Sequence, residues 1–93
     1  MILEIVSPEA KLFSGQVTSV TAPGVDGSFQ ILTNHAPIVS ILGKGSVRIE
    51  ASEFKFSKDS ENHFEKDSAN RHNLLIESGT LEMKDNKVII LID

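Results

Sequence analysis

The sequence predicts an all-β sandwich, and three observations predict it. Val, Ile and Thr supply 21 of the 93 residues, and β-branched side chains suit a pleated, half-buried surface. Gly, Pro, Asn and Asp interrupt the chain roughly every 8–12 residues, the rhythm of short strands joined by turns. Between interruptions the polarity alternates with period two: Val47, Ile49 and Ala51 point one way, Arg48 and Glu50 the other. At 93 residues and 40% hydrophobic content there is material for one core. Two half-length domains would each lack one, so residues 1–93 read as a single domain.

Residues 1–6 form a first strand, stopped by Ser7-Pro8. Residues 11–13 make a short second one before Ser14-Gly15, and residues 16–22 a third, closed by Pro23-Gly24. Asp26-Gly27 is a turn dipeptide. Residues 28–32 follow, with Phe29 and Ile31 on one face. Thr33 to Pro37 is a loop, residues 38–42 an apolar strand ended by Gly43-Lys44-Gly45, and residues 46–51 the alternating strand already noted. Phe54 and Phe56 then carry the opposite parity, which requires a turn or bulge near Ser52-Glu53.

Residues 50–67 hold six acids and three lysines, net −3, and with the neighbouring residues predict an extended polar hairpin around 52–73. A helix over 60–70, capped by Ser60, is the competing assignment. Residues 74–77 and 81–83 are short strands around Ser78-Gly79. Asp85-Asn86 turns the chain into residues 87–93, apolar on both faces at 88–92. Burial on both sides would put that strand between layers or in mid-sheet.

Composition also excludes. Nine basic against thirteen acidic residues, formal charge −4, is the wrong balance for neutralising phosphates, so no nucleic acid is expected. No cysteine is present, which removes disulfides and thiolate metal sites. The longest apolar run, residues 88–92, has five residues, far below the roughly 20 of a spanning helix, and no direct lipid insertion is expected. Residues 1–8 carry Glu4 and no basic stretch, unlike a secretory signal.

Motifs for chemistry are equally thin. Gly43-Lys44-Gly45-Ser46 lacks the upstream Gly of a phosphate loop, since Ile38 stands there. His63 and His72 fall in the polar segment, too far apart for a zinc set, and read as solvated loop histidines. His35 sits in a Pro-containing loop, either as a hydrogen-bonded surface side chain or as a partner contact. Glu77 and Glu82 are the acid pair that a small hydrolase would use. With five Phe and no Trp or Tyr, a peptide- or sugar-binding module would have only Phe54, Phe56 and Phe64 for its walls. No catalytic residue, metal or cofactor is assigned, and the residues themselves point to a small sandwich working through its surface.

Five segments, in order, resemble the epsilon subunit of F-type ATP synthases, called delta in mitochondria. They are Leu3-Glu4-Ile5-Val6-Ser7-Pro8-Glu9, Leu12-Phe13-Ser14-Gly15, the run from Val20 through Pro23-Gly24 and Gly27 to Ile31-Leu32, Asn34-His35-Ala36-Pro37 continued by Gly45-Ser46-Val47-Arg48-Ile49, and the closing stretches from Glu77 to Met83 and Asn86 to Asp93. Gln30 stands where the family usually has Gly, Thr80 replaces the second Gly of a Ser-Gly-Gly turn, and the 52–73 hairpin is longer than usual.

The resemblance implies a flattened β-sandwich of about ten strands in the rotor of the enzyme, non-catalytic, without cofactor. It would clamp the gamma subunit to the membrane c-ring and act indirectly on the alpha/beta catalytic hexamer, coupling ion-driven rotation to ATP synthesis. Its place would be peripheral, on the cytoplasmic face of the bacterial inner membrane. Ser7, His35, Ala36 and Ser40 match positions that approach gamma. Asp26, Gly27, Ser28, Phe29, Gln30, Ile31 and Leu32 match the stretch that faces the c-ring. Many relatives continue into two C-terminal helices that inhibit ATP hydrolysis; with the sequence ending at Asp93, no C-terminal helical domain and no inhibitory arm are expected.

Overall fold

The computed structural model describes residues 1–52, 63–67 and 71–93. Ten strands are present among them: β1 (Ile2–Val6), β2 (Lys11–Gln16), β3 (Ser19–Gly24), β4 (Gly27–Leu32), β5 (Ile38–Leu42), β6 (Gly45–Glu50), β7 (Glu65–Lys66), β8 (His72–Ile76), β9 (Gly79–Lys84) and β10 (Lys87–Ile92). The all-β sandwich expected from the sequence is the observed architecture.

The strands form one continuous path, β2-β1-β10-β9-β5-β3-β6-β8-β7, with β4 added on β3. The path bends at its weakest link, where β5 meets β3 through the single pair Gly24 and Leu42. Two five-stranded layers result, β2-β1-β10-β9-β5 and β4-β3-β6-β8-β7. Leu3, Ile5, Leu81, Met83, Val88 and Ile90 of the first share a core with Val20, Ile31, Val47, Ile49, Leu74 and Ile76 of the second. At the far ends of the path, Phe13 of β2 and Phe64, just before β7, meet edge to face with ring centroids 6.3 Å apart, so the outer edges also close on each other.

Local chemistry explains where the strand boundaries differ from the sequence expectation. The second strand does not stop at Ser14-Gly15; it runs on to Gln16 because it is an edge strand pairing β1 throughout, and Gly15 only has to clear the Phe13 ring. A register shift at Ile5/Val6 lets Leu12 and Phe13, adjacent in sequence, both be buried. The expected strand over 16–22 is broken at Val17-Thr18, where the chain changes layers: the Val17 amide donates to the Met1 carbonyl and the Thr18 amide to that of Glu50, each at 2.8 Å.

Pro23-Gly24 does not close the third strand but belongs to it. Pro23 lies beyond the stretch of β3 paired to β6, where the ladder has dwindled to the Gly43 amide donating to its carbonyl at 2.8 Å, so only the reciprocal bond is forgone. Gly24 and Gly27 then flank a two-residue turn, Val25-Asp26, with Gly27 at φ +127°, a value few side chains tolerate. At the other tight hairpin, Asp85 (φ 51°) and Asn86 (φ 61°) take the left-handed pair of angles of a type I′ turn between β9 and β10.

Two further expectations need correction. The last strand is in mid-sheet, parallel to β1 and antiparallel to β9, yet it is not buried on both faces: Val88 and Ile90 are inside, Ile89 is half-buried and Leu91 is 51% exposed. His72 is not a loop histidine but the half-buried first residue of β8, opposite Ile49 and Lys66. Glu65 and Lys66 are strand, not helix. Residues 53–62 and 68–70 of the expected hairpin, with the parity change at Phe54 and Phe56, lie outside the described residues.

Two substitutions test this packing in urea denaturation. Ile90→Ala, at a fully buried site, is expected to cost about 3 kcal/mol. Gly79→Ala, whose new Cβ would sit 2.5 Å from the Leu91 carbonyl oxygen, is expected to cost about 1–3 kcal/mol. A cost below about 0.5 kcal/mol at both would contradict the two-layer core.

Candidate interaction surface

With the inner face committed to the core, the outer face of the β2-β1-β10-β9-β5 layer is set by parity. One row across it reads Val6, Leu91, Thr80, Ile41, and the next Glu4, Ile89, Glu82, Val39. Val39 is 77% exposed and Ile41 63%. Val25, also exposed, joins them because its amide donates to the Ile41 carbonyl at 3.1 Å. Towards the opposite end the face turns charged, with Lys84, Lys87 and Glu4; the Lys87 ammonium lies 3.7 Å from the Glu4 carboxylate. An exposed pair of this kind adds little stability, so its effect is on the polarity of the rim.

The residues carried over from the resemblance fall around this face but not in one cluster. Ser7 sits beyond Val6 at one end and closes a turn: its amide donates to the Ala10 carbonyl at 2.8 Å, and its hydroxyl accepts from the Ala10 amide at 3.2 Å. His35 and Ala36 are exposed at the other end, in the loop joining β4 to β5. The His35 amide donates to the Leu32 carbonyl at 3.1 Å, and its ring Nδ1 lies 2.7 Å from the Ala36 carbonyl oxygen. Ser40 has the parity of Leu42, not of Val39 and Ile41; it is half-buried and lines a notch between β5 and the β3–β4 turn, with Asp26, Gly27, Ser28 and Phe29.

That notch therefore unites Ser40 with the tip of the second set. Asp26, Gly27 and Ser28 are exposed at the hairpin tip and Leu32 at the end of β4. Gln30 is committed to its own layer, donating from Nε2 to the buried Ser19 hydroxyl at 2.9 Å. Ile31 leaves the candidate surface altogether: it is fully buried and pairs with Val20 in the core. Phe29 is half-buried against the same core.

Sequence reasoning missed Val39, Ile41, Leu91 and Val25. The signal lies in the apolar runs over 38–42 and 88–92, which alternate poorly; the second of these reads as buried on both sides, whereas Leu91 is exposed. Other candidates disperse. Phe64 is buried against Phe13 and is no wall of a binding groove, and Phe54 and Phe56 lie outside the described residues. Glu77 lies at the β8–β9 turn, while Glu82 is out on β9 between Ile89 and Val39. No group of three or more His, Asp or Glu able to hold a metal ion occurs among the described residues.

What the fold and face define is a small β-sandwich whose open outer face carries exposed apolar side chains among polar ones. Comparison with known proteins gives the family. Residues 1–93 match the model for the ATP synthase delta/epsilon chain β-sandwich domain. The chain is 43% identical over 89 residues to the ATP synthase epsilon chain of Chlorobium limicola, covering 96% of this chain and 84% of that one. It is 37% identical over 91 residues to the epsilon chain of Leptospira borgpetersenii, covering 98% of this chain and 59% of that one. Among solved structures, a chain of the Tetrahymena thermophila mitochondrial ATP synthase central stalk and c-ring superposes with a TM-score of 0.72 at 18% identity, covering 99% of this chain and 62% of that chain. A chain of the Euglena gracilis mitochondrial ATP synthase gives 0.76 at 18% identity, covering 99% and 49%. The chain belongs to the ATP synthase delta/epsilon family.

If the outer face serves a partner, conservative polar changes there leave the fold alone. Val39→Thr and Ile41→Thr keep the β-branched shape and remove exposed methyl surface, so each is expected to shift stability in urea by less than about 0.5 kcal/mol. A loss as large as that of a core residue would show that this face is packed rather than open.

Proposed function

We propose that this chain is a non-catalytic subunit of the rotor of an F-type ATP synthase, joining the gamma subunit to the c-ring so that ion-driven rotation reaches the alpha/beta hexamer. The observation that carries the reading is the outward set of Val39, Ile41 and Leu91, exposed by 77%, 63% and 51% on strands that give Leu42, Val88 and Ile90 to the core. Large apolar side chains gathered near one another on an open face are what a partner would cover. In this reading gamma lies across the outer face of the β5-β9-β10-β1 side, with the 33–37 loop and Ser7 at its two ends. The β3–β4 tip, Asp26 to Ser28, meets the c-ring.

Several features support the mechanical role. The family is that of the ATP synthase delta and epsilon chains, and the solved structures of similar fold come from central-stalk and c-ring assemblies. A two-layer sandwich with a close-packed interior transmits strain instead of absorbing it, which suits a clamp under torque. A polar, acidic hairpin tip can meet polar loops without desolvating a large apolar area. In a bacterium this subunit would sit on the cytoplasmic face of the inner membrane, held there by its partners.

Binding to gamma tests the face directly. Val39→Asp or Ile41→Asp places a charge where apolar contact is needed, and affinity for purified gamma is expected to fall about tenfold or more, with the urea midpoint unchanged. Asp26→Lys is expected to spare gamma binding and to weaken association with detergent-solubilised c-ring. Undiminished gamma affinity in both Asp variants would sink the assignment of this face.

A further inference from the structure

The loop over 33–37 is exposed along its whole length, yet it is tied to a distant turn by one side chain. Asn86 Oδ1 accepts the backbone amide of Asn34 at 2.8 Å across a separation of 52 residues. The backbone carbonyl of the same Asn86 accepts the Ile2 amide at 3.1 Å. One residue thus joins the β9–β10 turn, the start of β1 and the crossover from β4 to β5.

The chemistry of the position is specific. Asn86 lies at φ 61°, where Gly and Asn are the favoured residues. Gly would hold the turn equally well but would offer no acceptor. Asn34 is itself at φ 65°, so the bonded amide belongs to the residue at which the loop bends, immediately before His35.

We propose that Asn86 is a positioning residue for His35: its side chain latches the 33–37 loop to the β9–β10 turn, presenting His35 and Ala36 in a fixed place at the edge of the outer face. The functional half of this proposal rests on the reading of that loop as facing gamma. The structural half does not.

Asn86→Gly and Asn86→Asp, made in the full chain, separate the two. Gly preserves the turn and deletes the acceptor; Asp restores an acceptor oxygen. Amide hydrogen exchange by NMR is expected to quicken about tenfold at Asn34 in N86G, the loss of one net hydrogen bond. The Ile2 amide, bonded to the backbone oxygen, stays protected, and N86D returns Asn34 towards the parent rate. Affinity for purified gamma is expected to drop about threefold in N86G and to recover in N86D. Unchanged Asn34 exchange in N86G overturns the latch, whatever gamma does. Faster exchange with unchanged gamma affinity, while His35→Asp weakens binding, overturns the positioning role and leaves the gamma-facing reading standing. If neither N86G nor His35→Asp alters gamma affinity, that reading of the loop fails and the positioning role fails with it.

Discussion

Everything in this molecule follows from the apolar interior that its two layers share. Neither five-stranded layer has a second way to bury its inner side chains, and a single interior accommodates Leu3, Ile5, Leu81 and Ile90 from one and Val20, Ile31, Val47 and Ile49 from the other. Because a strand's side chains alternate, a register slip of one residue would turn a whole inner set to solvent. The core therefore fixes more than stability. By deciding which residues of β5, β9 and β10 point inward, it also decides that Val39, Ile41 and Leu91 point out.

The outward set is thus a consequence of core register with a cost of its own, since exposed apolar area gains nothing in the isolated chain. On the opposite layer Leu75 and Leu32 are exposed too, but part of that outer face is polar and internally bonded. Arg48 donates to Asn73 at 3.3 Å, Asn73 to Asp67 at 3.2 Å, and Arg71 to Asp67 at 3.1 Å. Both layers thus leave some apolar side chains in the open, and Val25, Val39, Ile41 and Leu91 belong to the first layer and its adjoining turn.

Tight turns carry the second level of organisation. The β3–β4 and β9–β10 hairpins project their tips from rigid ladders, so Asp26 and Asn86 are held without a buried polar core around them. At the Ser7 turn a hydroxyl replaces missing backbone partners; at the 33–37 loop the partner comes from the Asn86 side chain. Stiff strands joined by self-bonded turns hold the two ends of the outer face relative to one another.

Much of this was legible in the chain. Strand content, the turn at Asp85-Asn86, a turn within one residue of Asp26-Gly27 (it falls on Val25-Asp26), the inward Val47 and Ile49, and the family itself all rest on local patterns: period-two alternation, turn chemistry and motif order. What misled was also local. Ser14-Gly15 and Pro23-Gly24 read as stops, but strand ends depend on which neighbour is available to pair, and β1 and β4 supplied the pairing that carries the chain through them. Ile31 read as part of a surface stretch because a motif does not distinguish the two faces of its strand. Only tertiary structure could decide whether an apolar run such as 88–92 is covered on both sides or on one. Hydrophobicity is a property of the residue, and burial depends on what the rest of the chain places beside it. The sequence by itself determined that this protein is a β-sandwich of its family; the packing of the layers decided which apolar side chains are left exposed.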